Sequence, residues 1–301
     1  MSRSYAVYDV FTDTPLFGNP LAVVFQAEGL SDDAMQAITR EFNLSETVFV
    51  IAPQSPDHAA RLRIFTPGYE LPFAGHPTVG TAVAVAEQRQ LQGANRLVLE
   101  ETIGPILCQT ETDKGRVGFA RFDLPRQSQP LDFAASPDAV AKALGLSAGQ
   151  IGFDDHQMKI WSAGVPFLFV PVKDQPAVEQ VQFDAALWVQ ATHYVNDRAV
   201  SAFVYCRGGQ SADAAFHARM FSPAMGIAED PATGSAVAAL TGAVHAADRY
   251  PDGRTSLLIE QGFEMGRPSQ IHVELDVAEG QIIRSTIGGY AVRIASGHLE
   301  L

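Results

Sequence analysis

The phrase HPTVGTAVA at residues 76–84 returns as DPATGSAVA at residues 230–238, and this repetition decides how the chain divides. Each copy runs on into small apolar residues, TAVAVAEQRQL in the first and SAVAALTGAVHAA in the second. Small apolar residues on every side of a helical period mark a helix enclosed by protein. The echo also reaches outward. GNPLAVV (18–24) resembles GVPFLFV (164–170), and RIFTP (63–67) resembles RMFSP (219–223). SETVFV starts 18 residues before its arginine, and SAFVYC does the same. Order and spacing agree, as in a duplicated unit.

Between these anchors each half places one amphipathic helix. SDDAMQAITREF opens with Ser31 as N-cap and two aspartates in the first turn, and sets Met35, Ile38 and Phe42 on one face. Its counterpart is FDAALWVQATH, with Leu187 four residues after Phe183. Strand-like segments follow each enclosed helix: RLVLEE, PILCQT and RVGFARFDL, then TSLLIEQ, QIHVELDV and QIIRSTI. TDKG (112–115) and AEG (278–280) signal their turns. The expected fold is α+β: two pseudo-symmetric lobes, each a curved, mainly antiparallel sheet wrapped around a central helix. The lobes are expected at 1–128 and 129–301. RQSQPLDFAA (126–135) reads as the linker, and SPDAVAKALG (136–145) as an extra helix with a serine cap and a proline at its first position. The last strand, YAVRIAS (290–296), suits either lobe.

Composition narrows the function. The chain has 301 residues, 47% of them hydrophobic and 18% charged, the make-up of a globular protein long enough for two cores. A net charge of -13 with no basic run argues against nucleic acid as a partner. No apolar stretch approaches the roughly 20 residues of a membrane helix, and the N-terminus lacks the zones of a signal peptide, so a cytoplasmic protein is expected. Cys108 and Cys206 each sit in an apolar strand-like run without a CxxC partner, as buried structural thiols do.

Chemistry is sought where the halves differ. Duplicated lobes commonly face each other through equivalent loops, here GHPTVGT and EDPATGS. Gly80 and Gly234 are expected where the chain enters each enclosed helix, with unpaired backbone N–H groups directed into the groove. Two helix starts converging on one groove suit a small anion, most simply a carboxylate. Gly75, Pro77, Thr78, Thr233, Gly234 and Ser235 are the expected substrate contacts, although the three hydroxyl residues could equally cap their helices. Matching the phrases through their prolines puts His76 and Asp230 in equivalent places. Alone, each has a bland reading, as a loop hydrogen bond or a turn residue. In the strand echo Glu46 is matched by the apolar Ala202. A carboxylate heading a strand apolar on both faces is expected to be desolvated, which favours its neutral form and suits proton exchange near neutral pH. A solvated strand end is the alternative. No metal-ligand histidine spacing, dinucleotide fingerprint, phosphate loop or nucleophile elbow occurs, so no metal or cofactor is expected.

FTPGYELPFAGHPTVGTA, GIAEDPATGSA, LSETVFV and YDVFTDTPLFGNPLAVV together resemble the phenazine-biosynthesis PhzF-like isomerase family, from Tyr8 to the terminal IGGYAVRIASG. The resemblance implies a fold like that of diaminopimelate epimerase, and a homodimer. Epimerase-type relatives carry a cysteine in each helix-start loop; FAGHPT and EDPATG carry none, which disfavours a two-cysteine mechanism. The family pattern implies the LSET glutamate, Glu46, as acid/base, joined by His76, Asp230 and Ser235. It further implies a cofactor-independent isomerisation of trans-2,3-dihydro-3-hydroxyanthranilate or a related small carboxylate, in which a proton moves between ring carbons. Two other functions fit the same cleft: an epimerase or racemase of a small amino or hydroxy acid, and a non-catalytic small-acid-binding protein.

Overall fold

In the computed structural model, SRSYAVYDV and NPLAVV form an antiparallel pair, β1 (Ser2–Val10) and β2 (Asn19–Val24). The structure describes residues 2–113, 115, 117–192, 194–195, 198–223 and 227–301. Contacts group the chain into two units, Met1–Pro125 with Ile287–Leu301, and Arg126–Thr286.

The first unit continues with α1 (Asp32–Phe42), β3 (Glu46–Ile51), β4 (Ala60–Phe65), β5 (Glu70–Leu71), α2 (Gly75–Gln88), β6 (Gly93–Glu101), β7 (Gly104–Thr112) and β8 (Val117–Asp123). Helix α1 starts as its sequence requires: Ser31 Oγ accepts from the Ala34 amide at 3.2 Å, and Asn43 closes the helix in the left-handed region. Met35 and Ile38 are buried, while Phe42 meets Tyr5 edge to face. The predicted turn at 112–115 includes Lys114, which lies outside the described residues.

The second unit holds β9 (Gln129–Leu131), α3 (Pro137–Ala143), β10 (Lys159–Ser162), β11 (Pro166–Pro171), α4 (Gln175–Glu179) and α5 (Ala185–Ala191). A two-stranded ribbon follows, β12 (Tyr194–Val195) with β13 (Arg198–Ala199). Then come β14 (Ser201–Arg207), β15 (Ala214–Ser222), β16 (Ile227–Asp230), α6 (Gly234–Asp248), β17 (Gly253–Gln261) and β18 (Ser269–Ala278). The last strand, β19 (Gln281–Glu300), starts in this unit and ends in the first, where residues 291–300 pair with β1. Helix α5 is shorter than its sequence pattern. Asp184 caps it, so Phe183 stands one position outside and packs on Trp188 as a hydrophobic staple.

The sheet is mixed but mainly antiparallel, as expected, with a few parallel pairs among the described strands. β2 lies parallel to β3, and β4 to β6. A parallel pair needs a crossover, and α1 and α2 supply the two crossovers. In the first unit the pairings run β1, β2, β3, β4, β6, β7, β8, β19 and back to β1, a barrel-like closure of eight strands. The second unit repeats the same sense of pairing: β10–β11 antiparallel, β11–β14 parallel, β14–β15 antiparallel, β15–β17 parallel, β17–β18 antiparallel. Both units carry bidentate arginine–carboxylate pairs between neighbouring strands. Arg63 on β4 grips Glu70 at 2.8 and 2.6 Å, and Arg219 on β15 grips Glu229 at 2.8 and 2.9 Å.

Every residue of α2 from Gly75 to Ala86 is buried, and the helix contacts β1, β2, β3, β6, β7 and β8. Gly80 is not where the chain enters this helix. The helix starts at Gly75, with Pro77 in its first turn, where the missing N–H is harmless. Gly80 instead lies inside it, where a Cβ would come within 2.7 Å of Val10 and Leu21 side-chain atoms. Gly234 is the first residue of α6, as expected.

Candidate active site

Glu46 opens β3 and His76 is the second residue of α2; the fold of the first unit brings their buried side chains to 3.3 Å, His76 Nε2 to Glu46 Oε2. This approach is not aligned as a hydrogen bond. Burial pushes the pKa of the imidazole down to about 3, which favours the neutral ring. Its tautomer follows from the other ring nitrogen. Asn19 Nδ2 lies 3.4 Å from His76 Nδ1, and an amide nitrogen can only donate, so Nδ1 accepts and the proton sits on Nε2, toward Glu46. The amide is oriented in turn by Ser45, whose hydroxyl donates to Asn19 Oδ1 at 3.3 Å. A chain therefore runs Ser45, Asn19, His76, Glu46, from the starts of β2, β3 and α2.

The rest of the α2 start is committed or buried. Thr78 N bonds the Ala74 carbonyl at 3.2 Å, and the Thr78 hydroxyl contacts the same carbonyl at 2.6 Å, so Thr78 does not act as an N-cap. Pro77 has no donor. The backbone N–H groups that helix geometry leaves for a ligand are those of Gly75 and His76.

In the second unit Asp230 ends β16, Thr233 is the N-cap of α6, and Gly234 and Ser235 are its first two residues. Thr233 donates its hydroxyl hydrogen to Asp230 Oδ2. Gln261, fully buried at the end of β17, holds this loop from beneath: its amide nitrogen donates to the Asp230 carbonyl at 2.6 Å and to Thr233 Oγ1 at 3.0 Å. Its oxygen accepts from Thr233 N at 3.1 Å. Ala236 N and Val237 N both bond the Thr233 carbonyl, which leaves the N–H groups of Gly234 and Ser235. Ser235 is half-buried, and Asp230 and Thr233 are buried. The nine predicted residues thus form two groups, one in each unit.

Asn19, Ser45 and Gln261 were not among those nine. Asn19 was within reach of the rule that singled out Glu46, since GNP in one half stands against GVP in the other, a polar residue against an apolar one. Gln261 closes TSLLIEQ, and nothing in that segment distinguishes a loop brace from a solvated strand end. Cys108 lies on β7 and Cys206 on β14, both buried, and burial pushes both thiols up, Cys206 to about 12.

The phenazine biosynthesis-like protein family matches residues 8–297. An uncharacterized isomerase of Mesorhizobium japonicum is 50% identical over 299 residues, with 99% of each chain covered. The trans-2,3-dihydro-3-hydroxyanthranilate isomerase of Pseudomonas aeruginosa is 35% identical, again over 99% of each chain. Among solved structures, a phenazine biosynthesis protein of the PhzF family from Bacillus anthracis superposes with a TM-score of 0.88 at 27% identity, covering 100% of both chains.

Proposed function

From the premise that this chain belongs to the phenazine biosynthesis-like protein family, and is an isomerase of that PhzF-like type, we propose that it shifts a proton on a small carboxylate, trans-2,3-dihydro-3-hydroxyanthranilate or a close relative, with Glu46 as the acid/base. Glu46 removes a proton from an acidified carbon, and the electron pair left behind moves into the adjoining π-system. The same carboxyl then returns the proton to a second carbon of the same molecule, so the reaction needs no net acid, base or redox partner. Each half of the chain forms one lobe of a duplicated fold on this reading.

His76 contributes as a neutral donor. Its Nε2–H is set by Asn19 and stabilises charge that develops on the substrate oxygen, without the imidazolium's competing attraction for the base. The N–H pairs of Gly75 with His76 and of Gly234 with Ser235 bind the substrate's anionic group, and Asp230, oriented by Thr233, orients its polar substituents. The Glu46–His76 contact of two buried side chains, in a chain 35% identical to the Pseudomonas isomerase, carries this reading.

The test is solvent exchange. Parent protein incubated with trans-2,3-dihydro-3-hydroxyanthranilate in D2O should release product carrying deuterium at the receiving carbon. Glu46→Gln should keep the parent's Tm and lose about 100-fold to 10,000-fold in turnover, the usual size of an acid–base contribution. Exchange at the parent's rate in a folded Glu46→Gln protein would remove Glu46 from the mechanism.

A further inference from the structure

Glu101 is the last residue of β6 and Gln261 the last residue of β17, each strand nine residues long and each following the enclosed helix of its own half. Gln261 braces the start of α6 by donating to the hydroxyl of Thr233, while Thr233 passes its own hydrogen to Asp230. The same arrangement recurs under α2. Thr78 Oγ1 lies 2.7 Å from Glu101 Oε1 and 2.6 Å from the Ala74 carbonyl oxygen. A hydroxyl has one hydrogen and a carbonyl oxygen has none to give. If Thr78 donates to Ala74, the hydrogen in the second contact must come from Glu101.

We propose that Glu101 is held as a neutral carboxylic acid whose O–H donates to Thr78, making it a positioning residue that fixes the first turn of α2 and with it His76, as the amide of Gln261 fixes the start of α6. The surroundings suit a neutral group. Glu101 is 7% exposed, and its Oε2 has no hydrogen-bond partner. A carboxylate left so poorly solvated is strongly disfavoured, and burial pushes the group up to about 8. The adjoining Glu100 points to the other face, where the amides of Gln54 and Ser55 and the ring of His58 hold it as a carboxylate. Among the described residues, the groups that act on or respond to Glu101 are the Thr78 hydroxyl of α2 and the buried Cys108 thiol of β7. Neither is a cation that would hold the charge.

The protonation of Glu101 stands apart from the catalytic reading, whereas its positioning role rests on the part assigned to His76. Protein labelled with 13C at the glutamate side-chain carboxyl is titrated by NMR. One resonance, absent in Glu101→Gln and retained in Glu46→Gln, should titrate near pH 8; titration of that resonance below pH 5 overturns the proposal. Thermal melts give an independent measure. Between the unfolded and folded pKa values the folded protein holds one more proton than the unfolded chain, so Tm should fall from pH 5 to pH 8 more steeply in the parent than in Glu101→Gln. Parallel curves overturn the proposal. The 15N ring signals of His76 report position: they should stay in place in Glu101→Gln and move in Glu101→Leu. If Glu101→Leu folds and leaves them unmoved, the positioning role is wrong even where the protonation holds. If Glu101→Gln does not fold, Thr78→Val serves for assignment, since loss of the hydroxyl acceptor should shift the midpoint of the same resonance.

Discussion

His76 shows how a single side chain is assigned its protonation state by packing. Burial leaves it neutral with a pKa of about 3, so at the pH of most assays it never carries charge. The consequence for stability has a definite sign. The unfolded chain gains a proton at this residue as pH falls below about 6.5, and the folded protein does not, so the contribution is fully present above that pH and is lost as pH falls toward 3. Denaturant titrations of parent and His76→Gln should therefore converge on acidification, with about 2 kcal/mol of the parent's advantage gone between pH 7 and pH 5. Equal pH dependence in the two proteins would mean that the imidazole is charged in the folded state. At this scale the sequence was legible where the two halves disagree: Glu46 against Ala202, His76 against Asp230. It was not legible where a residue acts through another. Asn19 selects the His76 tautomer from inside a segment whose apolar remainder, PLAVV, reads as scaffold, and only the fold shows its amide beside the ring.

Among the elements, α2 illustrates why an aligned phrase does not fix helical phase. PTVGTAVA lies wholly within α2, whereas α6 begins at the glycine of PATGSAVA, because the Asp230–Thr233–Gln261 network holds the preceding residues as a loop. Gly80 is thus an interior glycine, kept small by Val10 and Leu21 rather than by a turn. Gly80→Ala would gain about 1 kcal/mol in helix propensity. It would also place a methyl group within 2.7 Å of two branched side chains that are themselves enclosed, and overpacking of that kind costs typically 1–3 kcal/mol. A lower urea midpoint with an unchanged m-value is expected; an unchanged or higher midpoint would show that β1 and β2 yield at this point. The caps of α1 were readable because Ser31 and the two aspartates act locally. The length of α5 was not, since Phe183 serves as a staple outside the helix at the same spacing it would have within it.

Over the whole molecule, the correspondence of the repeated segments was legible: they fall on β2, β3, β4 and on β11, β14, β15, which pair in the same order and sense. Strand partnership was not, since the crossovers that make β2–β3 and β11–β14 parallel are a property of chain routing rather than of any residue pattern. The two cysteines allow the molecule to be tested as a whole. Cys108 is in the core of the first unit and Cys206 in that of the second, both on strands and both with the thiol stabilised over the reactive thiolate by burial. Both lie on strands outside the helix starts of their own units, which argues against a mechanism through a cysteine pair. Native protein should take up no aromatic disulfide reagent on the time scale of an activity assay and keep its full rate afterwards. In denaturant each thiol should become reactive only as its own unit opens, so labelling of Cys108→Ala and Cys206→Ala single variants would read the two units separately. Stoichiometric labelling of the native protein with matching loss of turnover would return a thiol to the chemistry and displace Glu46 from it.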